Sequence, residues 1–129
     1  MALIPNQGPA AARNLGLSEA RGEIIAFLDA DVEVRPGWAE AMRKALEHHD
    51  YAAGRIDIHP EMIRGFFHRY DEMTAFNVRE YMTRHHGVTA NLAVRREVLE
   101  KAGGFDARFR SGEDTEFGLR VHGAGFRMA

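Results

Sequence analysis

Apolar positions along this chain fall into helical stripes and short dense runs, and the two patterns alternate. Gly8-Pro9 suits the cap and first turn of a helix, because proline lacks a donor that would be orphaned there anyway, and Ala10 to Leu17 continues with helix formers. The pattern predicts a helix from about Pro9 to Ala20. After a break at Gly22, Glu23-Ile24-Ile25-Ala26-Phe27-Leu28 is a short apolar run rich in β-formers, the signature of a strand buried on both faces, and it ends at Asp29. Pro36 starts a second helix whose apolar residues Trp38, Ala41, Met42, Ala45 and Leu46 recur at helical spacing. Tyr51 to Ile58 then alternates like a strand around Gly54.

Farther on, Met62, Phe66, Tyr70, Met73 and Asn77 lie on or near one stripe of the stretch from Glu61 to Arg84, predicting one long amphipathic helix or two short ones. Such a stripe is most often core packing. With Arg64, Arg69, Arg79 and Arg84 interleaved, its other reading is a surface that docks an acceptor near an anionic membrane. Val88 to Val94 is a further strand, Arg96 to Ala102 a short helix ended by Gly103-Gly104, and Gly112 to His122 a helix with acids at its start. Gly125 to Ala129 reads as the opening of another strand. The fold class expected is α/β, with a mixed sheet flanked by helices, and residues 1–129 read as a single domain.

Composition narrows the function classes. The formal net charge of -2 and pI near 6.4 argue against nucleic acid as a general partner, which would require a basic face to neutralise phosphates. The chain has no cysteine, so it has neither disulfides nor thiolate metal sites and is compatible with a reducing cytoplasm. No apolar run approaches the roughly 20 residues that span a bilayer. The location expected is cytoplasmic, with peripheral membrane association as the alternative.

Three constellations carry candidate chemistry. In Phe27-Leu28-Asp29-Ala30-Asp31-Val32, an apolar strand delivers two carboxylates to its carboxyl end. Hard oxygen ligands suit Mg²⁺ or Mn²⁺, which take their remaining ligands from water and substrate phosphates. Acids also follow strands simply as turn or cap residues. The second constellation, Ser111-Gly112-Glu113-Asp114-Thr115-Glu116, places acids at a helix start, where the helix dipole favours them and where a carboxylate can also serve as a general base. In the third, Asn6-Gln7-Gly8-Pro9 leads into Ala12-Arg13-Asn14-Leu15-Gly16, a helix N-terminus able to face an anion, or else a capped surface helix with a solvated Arg13.

Taken in this order, the constellations resemble family 2 of the glycosyltransferases, the inverting family with the GT-A fold. Asn6-Gln7-Gly8 through Leu17 looks like its helix motif, Asp29-Ala30-Asp31 its DxD, Pro36-Gly37-Trp38 the following turn, and Gly104-Phe105-Asp106 with Gly112-Glu113-Asp114 its acceptor-side segment. The resemblance implies a nucleotide diphosphate-sugar donor, a saccharide or lipid-linked acceptor and a Mg²⁺ or Mn²⁺ cofactor. It implies that Asp31 is a direct metal ligand, that Asp29 contacts the ribose or assists the metal, and that Arg13 sits near the nucleobase. Asp114 becomes the base, with Glu113 beside it, and the setting implied is bacterial-type cell-surface polysaccharide synthesis. The QxxRW motif of the processive branch does not occur, so a polymer synthase is not supported.

The strands that open the family's fold do not precede Met1, so the chain reads as an excerpt, and its alternative function is that of a truncated remnant that only binds metal or partners. A haloacid-dehalogenase-like phosphatase also places DxD after a strand but wants Thr or Val where Glu33 stands. The adjacent pairs His48-His49 and His85-His86 lie at expected helix ends, where neighbouring side chains point apart, and nothing selects His59 or His122 as a ligand. An excerpt of this kind exposes sheet edge and helix surface and is expected to self-associate. Light scattering checks this: growth in mass with concentration is the expected result, and a clean monomer throughout contradicts it.

Overall fold

The computed structural model describes residues 7–57 and 87–129. Among these described residues, four helices and three strands follow one another as α1 (Pro9–Glu19), β1 (Ile24–Leu28), α2 (Trp38–Ala45), β2 (Tyr51–Ala53), β3 (Asn91–Arg95), α3 (Arg96–Ala102) and α4 (Glu113–Gly123). The fold class is α/β, as the alternation of patterns implies. The expected helix between Glu61 and Arg84 lies outside the described residues, as do Asn6, His59 and the pair His85-His86. Among the described residues, no helix is long and apolar enough to cross a membrane.

The sheet order is β1-β3-β2, with both pairings antiparallel. Ile24 stands opposite Arg95 and Leu28 opposite Asn91, while Tyr51 pairs with Val94 and Ala53 with Leu92. A parallel bridge joins Tyr51 to Met128 at the outer edge of β2, so the final segment does take an extended pairing. With partners on both sides, β3 is the hub of the sheet, and Leu92, Ala93 and Val94 are fully buried.

The two faces of the sheet are covered unequally. On one, Ile25, Phe27, Tyr51, Leu92 and Val94 pack with Ala10 of α1, Val98 and Leu99 of α3, Phe105, and Phe117 and Val121 of α4. On the other, Met42 and Leu46 cover Ala52 and Ala93, with Ile24 and Trp38 at the margin. This layer does not extend over Ala26 and Leu28, and Leu28 is 39% exposed. The strand therefore alternates instead of being buried on both faces as its apolar run implies.

The strand expected from Tyr51 to Ile58 also ends early, at Ala53. Its pairing stops where β3 begins: the Gly54 amide donates to the Asn91 carbonyl at 2.8 Å, and Asn91 Nδ2 donates to the Arg55 carbonyl at 3.1 Å. Asn91 Oδ1 accepts the Trp38 indole N–H at 2.9 Å, so one buried amide joins β3, α2 and the segment leaving β2. Arginines close the helix ends. Arg95 donates to the carbonyls of Leu46 and His49 beyond α2, and Arg96 to those of Ala20 and Gly22 beyond α1.

Burial of Tyr51 in this core pushes its phenol up to about 12, assisted by the charge of Asp50. Core dependence is tested on α4, where Phe117 is 1% and Leu119 54% exposed. Phe117→Ala is expected to cost about 3–5 kcal/mol in denaturant unfolding, and Leu119→Ala no more than about 0.5 kcal/mol. Equal losses would contradict the packing described.

Candidate functional site

The carboxyl end of β1 and the amino end of α4 meet over α1. Two neighbouring residues of α1 make the junction. Asn14 Nδ2 donates to the Phe105 carbonyl at 2.7 Å and its Oδ1 accepts the Phe105 amide at 2.8 Å, so a single side chain pairs with the loop between α3 and α4. A Cβ on Gly104 would collide with Asn14, which is why the loop carries glycine at this close approach. Phe105, held in this way, stacks edge-on against Phe27 of β1 at 5.1 Å and lies 4.7 Å from Phe117 of α4.

Arg13 lies above that aromatic cluster, its guanidinium carbon 5.8 Å from the Phe105 ring centre. Its Nη1 donates to Glu113 Oε1 and its Nη2 to Asp29 Oδ1, the latter at 3.2 Å. The side chains of Arg13 and Glu113 are only 17% and 7% exposed, whereas that of Asp29 is 44% exposed. A planar cation with a donor on each prong can serve two carboxylates at once. Glu113 enters this pocket because Gly112, at φ 78°, takes the left-handed turn that opens α4.

The structure thus brings together Arg13, Asp29 and Glu113 of the five residues singled out in the sequence. Asp31 stands two positions beyond Asp29, exposed, on the turn closed by the Val32 amide donating to the Asp29 carbonyl at 3.1 Å. No described residue pairs with its carboxylate. Asp114 follows Glu113 in the first turn of α4, half-buried, and its Oδ1 accepts the Thr115 amide at 2.7 Å.

Among the described residues, no group of three or more histidines and acids is placed to hold a metal unaided. The turn after β1 does offer two partly exposed carboxylates. Mg²⁺ and Mn²⁺ typically use one or two protein carboxylates and complete their shell with water and phosphate oxygens. Among the described residues, this donor set fits a cation shared with a phosphate-bearing substrate.

Asn14, Phe105 and Arg120 matter to the architecture without standing out in the sequence as site residues. An open cleft of about 430 Å³ lies between Asn14, Gly104, Asp106, Arg108, Glu116 and Arg120. Ion pairs already occupy its walls: Arg120 is held by Glu116 and by the carbonyls of Ala102, Gly103 and Gly104, and Arg108 by Asp106. Hydrogen bonds from the Arg108 side chain and amide hold the Asp106 carboxyl down at about 2. The only sequence signal for these locks is the recurrence of glycine and arginine around Phe105.

Comparisons with known proteins identify the family and the fold. The family model for glycosyl transferase family 2 matches residues 3–103, and the chain belongs to that family. It is 30% identical over 125 residues to glycosyltransferase AglE of Haloferax volcanii, covering 95% of this chain and 41% of that protein. It is 32% identical to the pre-mycofactocin glycosyltransferase of Mycobacterium tuberculosis, covering 95% of this chain and 28% of that protein. Among solved structures, the mannosyltransferase PcManGT of Pyrobaculum calidifontis, in complex with GDP-Man and Mn²⁺, aligns with a TM-score of 0.69 at 22% identity, covering 94% of this chain and 33% of that one. That likeness shows the fold, which is the GT-A fold expected from the motifs. The chain spans less than half the length of these relatives.

The Asn14 clamp generates a prediction for the architecture of the site. Asn14→Ala removes two hydrogen bonds and leaves the Phe105 backbone groups without this partner, so unfolding free energy should fall by about 1–3 kcal/mol. Thermal or denaturant unfolding checks this, and a parent-like midpoint would show that the clamp contributes little.

Proposed function

We propose that the chain supplies the cation-binding turn and the acceptor-activating acid of a metal-dependent, inverting glycosyltransferase that uses a nucleotide diphosphate-sugar. The observation that carries this reading is the two-pronged contact of Arg13 with Asp29 and Glu113. It draws the turn of Asp29 and Asp31 and the helix start of Asp114 to the same end of the sheet. Membership in family 2 and the fold shared with a GDP-Man and Mn²⁺ complex support the same assignment.

Asp31, exposed and without a partner among the described residues, is assigned as the main cation ligand, with Asp29 assisting. A divalent cation, when bound, would stabilise the negative charge that develops on the departing diphosphate. Asp114 accepts the proton of the acceptor hydroxyl as its oxygen attacks the anomeric carbon. The new glycosidic C–O bond forms as the bond to the diphosphate oxygen breaks on the opposite side, inverting the configuration and releasing nucleoside diphosphate. Half-burial at a helix start leaves Asp114 reachable by a hydroxyl.

The two acids act at opposite ends of the reaction path, and this gives the test. In the intact protein, with donors screened from GDP-mannose onward, Asp114→Asn should leave nucleotide and Mn²⁺ affinity nearly intact and lower transfer by about 10²- to 10⁴-fold. Asp31→Asn should weaken Mn²⁺-dependent nucleotide binding as well, read by calorimetry with and without a chelator. Parent-like transfer by Asp114→Asn would reduce that residue to a helix-start acid.

A further inference from the structure

The geometry points to Arg13 as a positioning residue that sets α4, and with it Asp114, against the turn of Asp29 and Asp31, with Glu113 as its buried counter-ion. The inference rests on the proposed function and assigns Arg13 and Glu113 parts within it. Glu113 is among the least exposed charged side chains of the described residues, and its Oε1 accepts a hydrogen bond from Arg13. A carboxylate so paired is poorly placed to collect a proton from an acceptor. The neighbouring Asp114 is half-buried and free of Arg13, so the two adjacent acids divide the work: one fixes the helix and the other meets substrate.

Charge alone does not define the role of Arg13. Its two prongs reach elements that lie 16 and 100 residues away in sequence, and its guanidinium lies over the ring of Phe105, which Asn14 holds from the next position of α1. A lysine at this position would keep the positive charge beside Asp29 but could not span both carboxylates in one rigid fork. The donor side would then feel nearly the same field, while the distance from Asp114 to the cation turn would no longer be fixed.

The test uses Arg13→Lys, Glu113→Gln and the double variant of the intact protein, each assayed well below its unfolding midpoint. Arg13→Lys is expected to lower kcat by about 10- to 100-fold, the usual effect of a misplaced reacting group, with Mn²⁺-dependent nucleotide Kd changed by no more than about threefold. Glu113→Gln should do the same, and the double variant should be no worse than the weaker single one. In the metal-free protein, the shifts in unfolding midpoint should be non-additive in the same way. If one single variant does not fold, the other carries the kinetic test alone. Parent-like kcat, or additive effects in the cycle, would overturn the positioning role. Weakened nucleotide binding with kcat retained would overturn it too and place Arg13 at the donor. Absence of transfer by the parent protein under every donor would instead sink the proposed function, and this inference with it.

Discussion

A guanidinium that is mostly removed from water needs its charge balanced, and the way Arg13 meets that need organises this end of the molecule. Glu113 without Arg13 would be a buried charge short of its counter-ion, which costs several kcal/mol, and this pairing ties α4 to α1. Asp29 takes the second prong at a more exposed position, where water screens the pairing and makes it weaker. Two contacts of unequal burial on one cation thus join α4 to the turn after β1. The aromatic cluster of Phe27, Phe105 and Phe117 beneath it gives that cation a rigid floor.

The sheet contributes direction. Because β1 runs antiparallel to β3, it delivers Asp29 at the end where Asn91 starts β3. Asn91 in turn holds Trp38 and Arg55, so the loop after the acids and the exit from β2 are tied to the same residue. The end of the sheet that carries the acids is thus bounded by hydrogen-bonded side chains, and the opposite end is closed by arginines on helix carbonyls.

Local signals were legible in the sequence and distant ones were not. The expected helix from Arg96 to Ala102 coincides with α3, and the one begun at Pro9 ends within a residue of α1, because proline, glycine and short-range capping decide such limits. The alternation from Tyr51 onward ran past Ala53 because nothing in the pattern reveals that Asn91 draws the chain away. The apolar run of β1 similarly carries no information on how far α2 reaches across the sheet. The order of motifs sufficed for the family and for the carboxyl-end location of Asp29, whereas the pairing of Arg13 with Glu113 required the fold, since no local rule relates residues that far apart.

That distance has a consequence for how the molecule comes to exist. The contacts that assemble the site span 91 residues from Asn14 to Phe105 and 100 from Arg13 to Glu113, and β2 is secured to the final segment by Arg127 and Asp50, 77 residues apart. Each closes a long loop before any neighbouring contact can compensate for the lost chain entropy. Topologies dominated by such distant contacts fold more slowly than local ones, and the arrangement of acids depends on segments far apart in the chain being in place together. A nascent or partly opened molecule carries the same residues without their arrangement, and competence therefore arrives only with the completed fold.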